Sequence, residues 1–451
     1  MLLGLSLILV ACANGKNIIE RDIEDLLLLE SISYNQKTAL VLPYKGKHGS
    51  TITWISSNPE VVTHEGIILP PKKGETSIQA TLSATLKNGF SSQIKNLNIT
   101  VLPFDDYENI TSSKNISFTN LSNEYNLNLN QIPTYFLDNG NIPYLNIEES
   151  LLLLDGLIYS KDLEFLYTDS GVDISYLVES NSNTFEYKAY FNELDNTITS
   201  SSLNFFSSYF YSTQTDFSKG LDVISTEYNS GLPIKFDLDE YRMDLFKKDN
   251  NLYMPAHLFN ILFLNDSYFN LYYNYDNFYG IYAIPEDNVV KTLRESSLNN
   301  TYIPFDIVRY NYDFYAFTFD YFYGISKPMS FYSYSKAYLK NFLSRDPQKS
   351  SLGQFQFINE ELDELHSSYD ADSFYLNKNK TTKLTSLTQL GEKTQNWYQT
   401  LYQVQALTKA RPSSNYKFLD NETAIIYLDS FDTKASTDLN GKDSSDFMKK
   451  L

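Results

Sequence analysis

One thiol and four imidazoles are the scarce reactive side chains of this chain, so their positions are the first constraint on its chemistry. The thiol is Cys12, directly after the apolar run Leu2 to Ala11. A lone cysteine forms no internal disulfide, and His48, His64, His257 and His366 are too scattered to build a zinc motif with it. No metal and no cofactor is expected. The acidic stretch Asp237-Leu238-Asp239-Glu240 lacks the glycine and terminal glutamate of a calcium loop and is expected to be a solvated turn. Asp363 and His366, and the serine of Ser430-Phe431 after an apolar run, are the remaining groups to weigh. Nucleophilic work by a serine hydroxyl needs an adjacent base to take its proton.

The elements that must position these groups follow from length and patterning. At roughly 100 to 200 residues per domain, the 451 residues predict a multidomain chain. A hydrophobic fraction of 42% supplies enough apolar surface for real cores. The net charge of −19 repels phosphate backbones, so no nucleic-acid partner is expected. The run Leu2 to Ala11 falls well short of the ~20 residues a spanning helix needs, and it reads as the hydrophobic part of a signal peptide. Residues 1–17 are therefore expected to be an address and tether, with Asn14 to Asp22 as the tether proper.

Over 18–103, strand-like runs recur between glycine, proline and asparagine breaks: Thr38 to Leu42, Thr51 to Ser56, Gly66 to Leu69, Thr76 to Leu86 and Ser91 to Val101. This spacing predicts a β-sandwich, with His48 and His64 solvated in its loops. Residues 104–130 are rich in Asn, Ser and Asp and read as a linker. Over 131–328 a mixed, β-rich, aromatic region follows. Two segments in it, Ile142 to Leu151 and Leu252 to Phe263, each put an aromatic and a proline on a short strand before an amphipathic helix. The crowded rings Phe269, Tyr272, Tyr273, Tyr275, Phe278 and Tyr279 predict mainly buried core, with a carbohydrate or peptide platform as the alternative. His257 is expected to be packed. From 329 the period becomes helical: Phe331, Tyr334, Tyr338 and Phe342 form one stripe, and Phe355, Ile358, Leu362 and Leu365 the next. A third helix over 383–410 precedes the strand Thr423 to Leu428.

Four stretches resemble those of three known families. Leu9-Val10-Ala11-Cys12 resembles the bacterial lipoprotein signal, which implies lipidation of Cys12 and a place on the outer face of a bacterial membrane. Thr53-Trp54-Ile55-Ser56-Ser57-Asn58-Pro59-Glu60-Val61-Val62, followed by Gly66, resembles the atrophied immunoglobulin-like domain of bacterial surface proteins. That resemblance implies a tryptophan filling the space between sheets and a role as spacer or ligand binder. Leu362-Asp363-Glu364-Leu365-His366-Ser367-Ser368-Tyr369 and the run Ala424 to Phe431 resemble motifs of the tail-specific, or C-terminal-processing, serine peptidases. The resemblance covers 329–451 and implies an αβ peptidase core acting on peptide or protein, with Asp363, His366, Ser430 and Phe431 as structural motif residues.

The catalytic Ser/Lys segment of that family, which follows a Gly-Gly strand end, has no counterpart here. No Gly-Gly pair occurs, and little chain follows Phe431. The expectation is a fold of α+β class whose last region leads into the first strand of an incomplete peptidase core, as if a longer enzyme had been shortened. On that view no catalytic residue lies in this chain. The alternative is a non-enzymatic surface lipoprotein that binds peptide or glycan through its sandwich and aromatic middle.

Overall fold

A computed structural model describes residues 17–180, 183–207, 209–217, 231–325, 329–409 and 416–426. Cys12, Ser430 and Phe431 lie outside the described residues. The described chain divides into two compact units, one running to Leu362 and over His366–Thr385, the other holding Asp363–Leu365 and the chain from Ser386 onward.

The first unit opens with helix α1 (residues 17–26), which buries Ile19, Asp22 and Leu26. This corrects the expected tether: Ile19 and Asp22 are anchored in the first domain. The Asp22 carboxylate receives the backbone N–H groups of His48 (2.7 Å) and Ser50 (3.0 Å), closing the loop between them. Strands β1 (Ser33–Tyr34), β2 (Thr51–Ser56), β3 (Ile78–Asn88) and β4 (Ser91–Val101) make a four-stranded sheet in the order β1-β4-β3-β2. Strict alternation along β2 buries Ile52, Trp54 and Ser56 and exposes Thr51, Thr53 and Ile55. Trp54 fills the core and donates its indole N–H to the Pro43 carbonyl (2.9 Å). Among the described residues no second ladder faces this sheet. Leu40, Leu42, Val62 and Ile68 cover it from extended segments joined by isolated bridges. His64 is not solvated in a loop: its Nδ1 accepts the Ser56 N–H at 2.8 Å.

The body that follows is built on β5 (Ile110–Asn120), β6 (Gln131–Leu137), β7 (Tyr144–Asn146), then β8 (Glu164–Thr168), β9 (Gly171–Ser180), β10 (Asn183–Asn192), β11 (Thr197–Ser200) and β12 (Ile234–Asp237), then β13 (Phe246–Lys248), β14 (Asn251–Pro255), β15 (Phe269–Tyr273) and β16 (Asn277–Tyr282). They form a seven-stranded sheet, β13-β14-β7-β6-β5-β16-β15, and a five-stranded antiparallel meander, β12-β11-β10-β9-β8. The linker expected over 104–130 is thereby corrected, because β5 lies inside the seven-stranded sheet, antiparallel to β6 and parallel to β16.

The two strand-plus-helix segments are β7 with α2 (Ile147–Leu153) and β14 with α3 (Ala256–Phe263). They lie side by side, β7 antiparallel to β14 with Leu145 opposite Met254. Asn146 starts α2 by accepting the Glu149 N–H (3.0 Å), a side-chain cap that satisfies a free helical donor. Helices α4 (Asp287–Leu293), α5 (Phe305–Phe322), α6 (Phe331–Tyr334), α7 (Leu339–Phe342) and α8 (Pro347–Gln356) follow, α8 running on into a π-helical turn, Phe357–Glu361. The stripe Phe331, Tyr334, Tyr338 and Phe342 is broken between α6 and α7, yet all four rings converge on Phe357, at centroid distances of 5.1 to 6.1 Å.

The first domain is fused to this body. In the segment Gly66 to Leu69, Ile68 enters the first domain's core while Ile67 and Leu69 enter the core of the body. Polar ties flank them. Glu65 accepts from Ser344 Oγ and the Arg345 N–H (3.0 Å), Lys336 pairs with Glu60 (2.5 Å), and Lys72 pairs with Glu240. The acidic stretch 237–240 is solvated only in part: Leu238 is buried and Asp239 accepts from Asn196 (2.6 Å), while exposed Glu240 pairs with Lys72 of the first domain.

In the second unit, α9 (Glu392–Lys409) is shorter than the expected 383–410, and β17 (Tyr416–Phe418) pairs with β18 (Ala424–Ile426). The apolar stripe of α9 leaves Trp397, Val404 and Leu407 exposed among the described residues.

Candidate functional site

Most aromatic side chains of the middle region are core. Phe191, Phe236, Phe259, Phe263, Phe269 and Phe278 are fully buried in one continuous cluster. A subset is placed differently. At the end of β15, Tyr272 and Tyr273 run into the turn Asn274 to Asp276, and with residues of α3, α5 and the loop 371–375 they line a cavity of about 340 Å³. That lies within the size range of small-molecule sites, which combine apolar walls with a few fixed polar groups.

Each wall is fixed by its own local chemistry. Ile307, Asn311 and Tyr315 are four residues apart on α5 and so share one face. Tyr315 donates to Gln354 Oε1 of α8 at 3.0 Å. The turn carrying Tyr275 is held by Asn274, whose side chain donates to the Leu293 carbonyl (3.1 Å) and accepts the Asn277 N–H (2.9 Å). Tyr275 itself has φ 76°, a left-handed conformation that strains a bulky residue. Such strain persists where the surroundings impose it, often at binding sites. Lys114 Nζ lies 5.4 Å from its ring centroid. On the facing wall Phe374 and Tyr375 stack at 4.3 Å, and Asn299 donates to the carbonyls of Phe374 and Leu376.

The polar atoms of the cavity are incompletely satisfied. His257 Nδ1 and Tyr273 Oη are buried without a hydrogen-bond partner in the protein. Buried polar atoms are almost always paired, so these two are matched by ordered water or by a ligand. Burial lowers His257 to about 4, so the ring is neutral at physiological pH and offers one donor and one acceptor. Burial raises the phenols of Tyr273, Tyr315 and Tyr375 above their ordinary value, which keeps all three as O–H donors. His257 is packed between Tyr310 and Phe314, as the packed reading expects, and also faces the cavity.

The two motif residues that can be located sit elsewhere. The Asp363 carboxylate accepts the N–H groups of Lys393 and Thr394, both at 2.8 Å, at the start of α9. Burial pushes this carboxyl up, but those two bonds outweigh it and hold it below its usual value. A Cβ at Gly391 would overlap the same carboxylate. Asp363 is thus a helix-capping residue. His366 is exposed, and the π-helical turn that precedes its motif closes at Leu362.

A second cavity, of about 440 Å³, is lined by Lys291, Arg294, Lys378, Lys380 and Lys383 together with Asp287, Glu295, Asp370 and Asp372. The sequence singles out Tyr272, Tyr273 and Tyr275 as a crowded run, mainly core with a carbohydrate or peptide platform as the alternative. Sequence reasoning passed over Asn311, the Phe374-Tyr375 pair and the basic run Lys378-Asn379-Lys380-Thr381-Thr382-Lys383, although such a run in a chain of charge −19 is a legible signal.

Among the described residues no helix is long and apolar enough to cross a membrane. No curated protein matches the chain. Residues 30–104 match the family model of the atrophied bacterial Ig domain, the segment that carries buried Trp54 and the four-stranded sheet.

Proposed function

We propose that this chain is a non-enzymatic surface protein that holds a glycan in the aromatic cavity, with lipid on Cys12 as its membrane tether. The observation that carries the reading is the gathering of Tyr272, Tyr275 and Tyr375 with the orphaned polar atoms of His257 and Tyr273 around one cavity. Sugars present apolar C–H faces and a rim of hydroxyls. Rings receive the faces, while Asn311, His257 and Tyr273 receive the rim.

The test is a screen of the purified chain on an array of oligosaccharides, followed by calorimetric titration of the hits into the native chain and into Tyr275→Ala. Saturable binding lost in Tyr275→Ala supports the proposal. Binding confined to peptides overturns it. So does turnover of an unfolded protein that a serine-directed acylating reagent abolishes, which would favour the tail-specific peptidase reading instead.

A further inference from the structure

We infer that the aromatic and basic cavities are two halves of one site, and that its ligand is a glycan carrying an anionic substituent. This rests on the glycan reading above and names the ligand class. The two cavities share the wall residue Asp372, and the residues on either side of it divide between them: Ala371 and Ser373 line the aromatic cavity, Asp370 the basic one. Leu293 and its neighbour Arg294 are split in the same way, so the two cavities adjoin at the Arg294–Asp372 pair.

The charges of the basic cavity are not all consumed within the protein. Asp372 is taken by Arg294 (3.6 Å) and by the Thr382 N–H (2.9 Å). Asp287 pairs with Lys383 (3.2 Å), Asp370 accepts from Ser368 (2.7 Å), and Lys380 donates to Gln348 (2.6 Å). Glu295 is exposed and lines the same cavity. Lys291 and Lys378 remain as ammonium groups without an ion-pair partner among the described residues, and the buried Arg294 Nε has no hydrogen-bond acceptor. Lys291, Lys378 and Lys380 against Asp370 and Glu295 leave the cavity an excess of one positive charge, which beside the unsatisfied guanidinium nitrogen makes a local anion site in a chain of net charge −19. A carboxylate or a phosphate on the sugar would fill it, and lysine binds either as a point charge.

The test titrates the native chain with three probes: a hexameric oligogalacturonate, its fully methyl-esterified neutral counterpart, and inorganic phosphate. A phosphorylated oligosaccharide runs as a parallel arm to separate carboxylate from phosphate. The variants are Lys291→Glu/Lys378→Glu and Tyr275→Ala, with thermal melts to show that both fold. The expected result is that an acidic oligosaccharide, of either kind, binds at least about tenfold more tightly than the neutral one. That preference should fall with added salt and vanish in the double lysine variant, while Tyr275→Ala weakens all oligosaccharides alike.

If neutral and acidic sugars bind equally and the lysine variant changes nothing, glycan binding stands and this inference falls. If inorganic phosphate alone binds as tightly as the acidic sugars, the tyrosines contribute nothing and the single composite site is refuted. If no oligosaccharide binds, both readings fall together.

Discussion

Arg294 Nη1 lies 3.6 Å from Asp372 Oδ2, both side chains are buried, and the pair stands where the aromatic and basic cavities meet. Arg294 Nη2 also donates to the carbonyls of Leu376, Asn377 and Lys380, while Asp372 accepts the Thr382 N–H. One ion pair thus gathers the loop that supplies Lys378 and Lys380.

Removing the carboxylate leaves a buried guanidinium without its counter-charge, and losing one partner of a buried pair typically costs about 3–5 kcal/mol. Asp372→Ala is expected to lower the unfolding free energy by that order, read by urea titration. A loss under about 1 kcal/mol, the range of an exposed pair, would show that the pair does not organise the loop.

Tyr275 separates backbone strain from ligand contact. Its φ of 76° is costly for any residue with a Cβ and free for glycine. Tyr275→Ala loses the ring and keeps the strain, whereas Tyr275→Gly loses both. The glycine variant is expected to be more stable than the alanine variant by about 1 kcal/mol, the usual left-handed penalty, with both equally impaired in glycan binding. Equal stability of the two variants in thermal melts would mean that the turn relaxes and holds no strain.

The parts of the fold that were legible are those where side chains report the backbone. Thr51 to Ser56 is legible because alternation marks a strand with one buried face, and so is the end of Ser91 to Val101, where Leu97, Ile99 and Val101 are buried, although Ile94 is exposed. Strand β5 was misread as a linker because only Ile116 and Phe118 are buried along it. Its place in the sheet comes from backbone pairing with β6 and β16, which polar residues such as Ser113 and Asn115 make as well as any. The helical stripe of α9 was legible as a stripe, but periodicity does not say what covers Trp397 or Leu407. The cavity was half visible, as a run of tyrosines. Asn311 and Tyr375 join it only through tertiary contacts with distant segments, which no local pattern encodes.

The fusion of the first domain to the body has a direct test in the segment Gly66 to Leu69. Ile67 and Leu69 are buried in the body's core, so truncating either should destabilise the body and not only the immunoglobulin-like sheet. Ile67→Ala is expected to cost about 2–5 kcal/mol, as for other buried aliphatic truncations. Hydrogen exchange should show the loss in both β3 and α5. Faster exchange confined to β1–β4 would mean that the two regions unfold independently.

A last consequence concerns pH at the same junction. Asp244 is buried, and burial pushes its carboxyl up to about 8, only partly opposed by the Tyr107 N–H that it accepts at 3.0 Å. The folded protein therefore holds a proton on Asp244 from the ordinary carboxylate range up to about 8, whereas the unfolded chain has released it. The folded state binds the extra proton, so this residue's contribution to stability falls as pH rises across that window and levels off above it. Asn in place of Asp keeps an acceptor for Tyr107 and cannot ionise. Asp244→Asn should match the native protein at the acid end of the window and exceed it by a margin that grows toward its alkaline end. Measuring the difference between the two proteins cancels the opposite slope from His257, whose lowered value favours the folded state as pH rises. Paired thermal melts across the range read the margin directly. A difference that stays constant with pH would place the titrating group elsewhere and leave the carboxyl ionised in its buried position.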